Sequence, residues 1–194
     1  MDAVSAPEQT PEQVEQPARS NRSKIGWIIA FVVLLSLLAL LWLGLGRASQ
    51  GPIKVGDQVP NFGLTTFDGQ QINLAEHSGK VIVLNFWASW CKPCEQEAAD
   101  MEAAWRLYQD RGDVIFLGVD YVDTEPEALA YLEKFGITYP NGPDLGTRIS
   151  QGFRIRGVPE TYFIDASGKL ADFEIGPFSN LSQIQAKIDN LLGD

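Results

Sequence analysis

One apolar run dominates the pattern of hydrophobic and polar positions: "IGWIIAFVVLLSLLALLWLGLG", residues 25 to 46, with no charge over 22 positions. An apolar run longer than about 18 residues reads as a membrane-spanning helix. Trp27 and Trp42 sit near its two ends, where interfacial aromatics belong. Residues 1 to 24 before it hold three prolines and almost no large apolar side chain, the composition of a disordered tail. The tail ends in Arg19, Arg22 and Lys24, and basic residues favour the cytoplasmic side of a bilayer. The reading is a single-pass cell-membrane anchor, amino terminus in the cytoplasm and the remainder extracytoplasmic. Gly46 to Ala48 offer a small-x-small pattern for cleavage, but signal-peptide apolar regions run only about 7 to 15 residues.

Residues 47 to 60, "RASQGPIKVGDQVP", read as a tether. Beyond it the pattern alternates between strand-like and helix-like segments. "NFGLTTFDGQQINL", 61 to 74, predicts a hairpin around Asp68-Gly69. "VIVLNFW", 81 to 87, and "VIFLGVDY", 114 to 121, are continuous apolar runs, as expected of strands covered on both faces. Between them, helical periodicity runs from about Pro93 to Tyr108, with Gly112 as its stop. Strand, helix, strand in this order implies a right-handed parallel crossover. "EPEALAYLEKFG", 125 to 136, predicts a helix opened by Pro126 and closed by Gly136. A short helix covers "LGTRISQGF". "ETYFIDASGKLADFEIG", 160 to 176, reads as two antiparallel strands turning at Ser167-Gly168. An amphipathic helix over 179 to 192 places Leu181, Ile184, Ile188 and Leu192 on one face. The fold class is α/β, a mixed sheet with helices on both faces, in one domain over 53 to 194.

Charge alters this picture little. Residues 51 to 194 hold 21 Asp and Glu against 11 Lys and Arg. That balance carries no basic footprint for nucleic acid and mainly promotes solubility.

The two cysteines change it most. Both lie in "NFWASWCKPCEQE", as Cys91 and Cys94, where the first buried strand gives way to a helix. A helix amino terminus offers unpaired N–H groups and partial positive charge, both of which stabilise a thiolate, the nucleophilic form. Lys92 adds a nearby cation, and Pro93 suits a first helical turn. Two cysteines at this spacing can close and reopen a small disulfide. Cys91, expected to be the exposed one, would exchange with a substrate disulfide, and Cys94 would resolve the mixed disulfide. Other uses of the pair fit poorly. A structural disulfide gains most from a longer loop. A structural zinc site needs four ligands, and the single histidine, His77, lies in a loop. Covalent haem attachment needs His after the second cysteine, where Glu95 stands. Copper would lack nearby His or Met. No cofactor is expected beyond the redox-active Cys91–Cys94 disulfide, and no metal.

With "VIVLNFWASWCKPC" and "GVPETYFID" (157 to 165) in this order, the domain resembles the thioredoxin-fold proteins over residues 53 to about 192. Within them it is most similar to the membrane-anchored thiol:disulfide interchange proteins of cytochrome c maturation, the CcmG/DsbE and ResA group of the TlpA-like proteins. The amino-terminal anchor, Asn85 ahead of "WASWC", Glu97 three residues past the second cysteine, and Glu160 after the proline carry that likeness. The resemblance implies that Pro159 is a cis-proline facing the cysteines. It implies that backbone at Val158 pairs with an extended substrate, in the manner of strand addition. It also implies that Glu97 and Glu160 line the site. Glu97, partly buried with a raised pKa, would moderate the thiols or pass a proton. Trp90, Lys92, Pro93, Val158 and Glu160 would form the surface that meets substrate, while Trp87 fits a core role. Apocytochrome c would be the client, and a membrane thiol-disulfide carrier the source of electrons. Three other readings remain. A general extracytoplasmic thiol exchanger shares the same chemistry. "VGDQVPNFGLTTFDGQQI" resembles the peroxiredoxin branch, but Ala88 stands where a peroxidatic site carries Thr. A redox-inert binding module would have no need of the intact pair.

Overall fold

The computed structural model describes residues 22–48 and 51–193. The expected disordered tail lies, to residue 21, outside the described residues, as do tether positions 49 and 50. Two compact units divide at residues 50 and 51. The first contains α1, Arg22–Ala48, whose Gly26–Leu43 stretch has mean hydropathy 2.6 and is long and apolar enough to cross a membrane. From Trp27 to Leu43 its apolar side chains are exposed.

In the second unit a five-stranded sheet has the order β5-β4-β3-β6-β7, with β3 Val81–Trp87, β4 Val114–Asp120, β5 Asn141–Pro143, β6 Glu160–Ile164 and β7 Leu170–Ile175. β3, β4 and β5 run parallel, and β6 and β7 are antiparallel to their neighbours. The crossovers are α2, Lys92–Tyr108, and α3, Glu125–Phe135. Both step the same way across the sheet, so right-handed connection places both helices on one face. α5, Leu181–Leu192, joins them there, and Val81, Val83, Met101, Phe163, Ile184 and Ile188 form the core beneath. The alternate residues Ile82, Leu84 and Phe86 point the other way, into a core closed by α4, Arg148–Phe153, and a separate hairpin of β1, Gly63–Thr65, and β2, Gln71–Asn73. The two faces use alternate residues of one strand, which is why β3 is buried throughout.

One strand departs from the expectation. β5 was not foreseen: it is three residues long and contains Gly142 and Pro143, both poor strand formers. Being short, at the sheet edge, and carrying its proline at the end, it tolerates them. α2 ends at Tyr108, where the helical periodicity ends, and only the stop signal at Gly112 lies four residues further on.

β5 matters because it seats the strand end that carries the cysteines. Asn141 Oδ1 accepts from Trp87 Nε1 at 2.8 Å, and the Asn141 carbonyl accepts from Phe67 N, which docks the hairpin. Gly118 makes the room: a Cβ there would overlap the Asn141 side chain. Gly118→Ala is therefore expected to lower stability by about 2–4 kcal/mol in urea unfolding, through overpacking plus a broken buried hydrogen bond. Its Trp87 fluorescence should shift toward that of a wetter indole.

Candidate active site

The site forms where β3 ends. Trp87 is its last residue, buried and stacked on Tyr131 of α3 with ring centroids 4.5 Å apart. The chain then turns through Ala88–Trp90 and enters α2 with Cys91 as its N-cap. Cys91 and Cys94 form a disulfide. Cys91 Sγ accepts a hydrogen bond from Cys94 N at 3.1 Å, so the sulfur takes the place of a capping oxygen and is aimed at the free N–H groups of the helix start. On reduction the same N–H and the helix dipole stabilise charge on that sulfur.

Cys91, expected to be exposed, is only 3% accessible, and Cys94 1%. Both belong to a cluster with Trp87, Ala88, Ala98, Ala128 and Tyr131. Ala128 and Tyr131 of α3 and the end of β3 pack in one cluster with the pair, which leaves little sulfur surface open to a partner. Trp90, the residue before Cys91, is 57% exposed, its Nε1 donating to the Val122 carbonyl at 3.0 Å. Lys92 does not turn to the sulfurs. Its ammonium pairs with Glu95 at 3.0 Å, and Lys134 of α3 approaches the same carboxylate at 3.4 Å. Pro93 lies in the first turn of α2.

Glu97 follows Cys94 by three residues, so the two share a helix face. It is buried, with Oε1 accepting from Asn85 Nδ2 at 2.9 Å and Oε2 from Phe178 N at 3.0 Å. Asn85 also donates to Thr161 Oγ1 at 2.9 Å. Burial outweighs these hydrogen bonds and lifts the Glu97 pKa to about 7.

The Val158–Pro159 peptide bond is cis. Val158 is half-buried against the cysteine cluster, and Pro159 is buried. Glu160 does not line the site as a substrate-contacting side chain. It stands opposite Phe86 in the β3–β6 register and points to the far face of the sheet from Glu97. There Oε1 accepts from Arg156 N at 2.7 Å and Oε2 from the Tyr162 hydroxyl at 2.6 Å. A 2% exposed carboxylate bonded to its own loop shapes the Arg156–Pro159 turn instead of meeting substrate. One residue of register decides which face a side chain serves.

A further buried acid went unforeseen. Asp120 ends β4 beside Trp87 and is 2% exposed. Its Oδ1 has no hydrogen-bond partner. Burial, then the charge of and a hydrogen bond with Asp123, push its pKa up to about 8. The trace in the sequence is an acid closing an apolar run, "VIFLGVD", three residues before a second acid. Among the described residues no group of three or more His, Cys, Asp or Glu could hold a metal ion.

An acid whose pKa is raised by folding holds its proton more tightly in the native state, so stability falls as pH rises from about 4 to about 8. Asp120→Asn removes that part of the fall, because its amide can still donate to Asp123. The variant is expected to exceed wild type by about 2 kcal/mol or more at pH 9 and to gain nothing at pH 4, read by urea unfolding of the oxidised protein. A wild-type pH profile would contradict a buried protonated Asp120.

The AhpC/TSA family model matches residues 55–173. The chain is 32% identical over 158 residues to the thiol-disulfide oxidoreductase ResA of Bacillus cereus, covering 81% of this chain and 90% of that one. It is 32% identical over 146 residues to the ResA of Geobacillus thermodenitrificans, covering 74% and 83%. A solved thiol:disulfide interchange protein of the thioredoxin family from Chlorobium tepidum superposes with a TM-score of 0.65 at 28% identity, over 75% of this chain and 99% of that one. With a disulfide capping α2 and a cis-proline beside it, the chain belongs to the AhpC/TSA family of thioredoxin-fold proteins and is a thiol-disulfide oxidoreductase.

Proposed function

We propose that this oxidoreductase works outside the cytoplasm as a reductant, keeping the cysteine pair of apocytochrome c reduced for haem attachment. α1 holds it to the cell membrane, and a membrane thiol-disulfide carrier restores its dithiol. The observation that carries the reductive direction is Glu97, buried on the helix face of Cys94. A carboxylate there disfavours thiolate at the pair. Destabilising the dithiolate form favours the disulfide, which makes the dithiol a stronger electron donor. Lys92, which could stabilise thiolate, is held by Glu95. The cytochrome assignment draws on the likeness to the CcmG/DsbE and ResA group, and the apolar α1 supports a membrane setting.

The exchange balances as follows. Cys91 thiolate attacks one sulfur of the client disulfide, and the other client sulfur leaves as a thiolate. Cys94 gives its proton to Glu97, which a group of pKa about 7 can accept near neutral pH. The Cys94 thiolate then attacks Cys91 Sγ and expels the second client sulfur. The client gains two electrons and, from solvent and Glu97, two protons; the protein is left with the Cys91–Cys94 disulfide.

Cys94→Ala stops this sequence at the mixed disulfide on Cys91. Full-length protein carrying that change, purified from its membrane without reductant, is expected to hold CxxCH peptides of c-type apocytochromes, identified by mass spectrometry. Recovery of assorted secreted proteins without haem motifs would make it a general thiol exchanger.

A further inference from the structure

Val122 is the most anomalous residue near the disulfide. It follows β4, is 58% exposed, and has φ of 50°. A β-branched side chain in the left-handed region is strained, because its Cβ crowds the following carbonyl. Glycine or asparagine would take this conformation with less strain. The valine buries little of itself in the fold, so neither backbone preference nor core packing accounts for it. Such strain persists only where the surroundings impose it.

The surroundings are explicit. Tyr121 N donates to the Trp87 carbonyl at 2.8 Å, Ser89 N donates to Asp123 Oδ2 at 2.6 Å, and Trp90 Nε1 donates to the Val122 carbonyl at 3.0 Å. Residues 121–123 are thus fastened to residues 87–90, the turn that delivers Cys91. The fastening turns the Val122 backbone carbonyl to the Trp90 ring N–H and leaves both residues with exposed side chains, Trp90 directly preceding the buried Cys91. Tyr121, next to Val122, lines a groove of about 320 Å³ with Ser150, Gln151, Arg154 and Ile155, and Ile155 leads into the turn before the cis-proline.

We propose that Val122 and Trp90 form an apolar lip that takes a hydrophobic side chain next to the cysteine of a client polypeptide, making Val122 a specificity-determining residue. The lip rests on the reading above that the protein reduces polypeptide disulfides. Its occupant is an extended client segment, because Trp90 directly precedes the reactive Cys91 and Tyr121, directly before Val122, lines the groove that leads toward the cis-proline turn. Exposed aromatics with an apolar neighbour suit such anchoring. A strained valine there provides contact area that glycine would not.

The test uses full-length reduced protein and two synthetic peptides with the same CxxC disulfide, one flanked by Leu and one by Asp. Single-turnover reduction is followed at rising peptide concentration. Wild type is expected to favour the Leu peptide by about tenfold in the second-order rate, since a modest apolar contact discriminates on that scale. Val122→Gly and Val122→Asn, both at ease with a positive φ, are expected to bring that ratio close to one. The loss should fall in half-saturating concentration, with the limiting rate kept. A wild-type ratio in both variants overturns the lip while leaving reductase function standing. Equal loss on both peptides through the limiting rate also overturns it, because Val122 would then act only by positioning the turn. Failure of wild type to reduce either peptide would sink the reductase reading and the lip together.

Discussion

The bidentate hold on the Glu97 carboxyl is the interaction on which the domain's working end depends. One oxygen takes the Asn85 amide of β3, which is bridged in turn to Thr161 of β6; the other takes the Phe178 backbone N–H ahead of α5. One side chain therefore ties α2 to two central strands and to the last helix. Burying it is costly. A carboxyl whose pKa rises from 4.5 to about 7 on folding withdraws about 3 kcal/mol of stability as pH climbs through that interval. The proton is present below 4.5 in both states, so the deficit is full only above about 7. A glutamine or leucine would avoid that cost. What the carboxyl offers in exchange is a proton acceptor and a latent negative charge on the resolving cysteine's own helix face.

The same end of the sheet carries another buried acid and a strained valine within three residues of each other. Asp120 stands against Trp87, Val122 faces Trp90, and Asp123 holds Ser89. Each disfavours folding locally, by desolvation or by backbone conformation. The rest of the sheet can bear them. β3 is buried over all seven residues, and both faces are closed by large apolar clusters. Stability is concentrated in the sheet and given up at the carboxyl ends of β3 and β4, a distribution expected where chemistry must take place.

Much of this was legible in the sequence. The apolar runs at 81–87 and 114–120 announce buried strands because both faces are covered, and the CxxC at their crossover announces the site. Glu97 was legible only through the family resemblance, since a carboxylate in the first turns of a helix is ordinary by itself. Glu160 was misplaced because the two residues after Pro159 face opposite sides of β6, and only the register Phe86↔Glu160 shows which. The exposure of Cys91 was misjudged because its cover comes from α3, distant in sequence. β5 was invisible because "NGP" contradicts strand propensity and pairs only through the edge of β4. Asp120 looked like an ordinary strand-end acid. Its surroundings come from outside its own strand: Trp87 stands opposite it in the β3–β4 register, and Asp123 approaches its carboxyl.

If Glu97 makes this disulfide reducing, the reduction potential of the Cys91–Cys94 couple depends on that one carboxyl. It would be measured by equilibration with glutathione or dithiothreitol for wild type and Glu97→Gln at several pH values. The account predicts a more oxidising Glu97→Gln above pH 7, by roughly 30 mV for each tenfold change in equilibrium constant. The difference should shrink as pH falls below 7 and wild-type Glu97 becomes protonated. Equal potentials in the two proteins at pH 8 would contradict it.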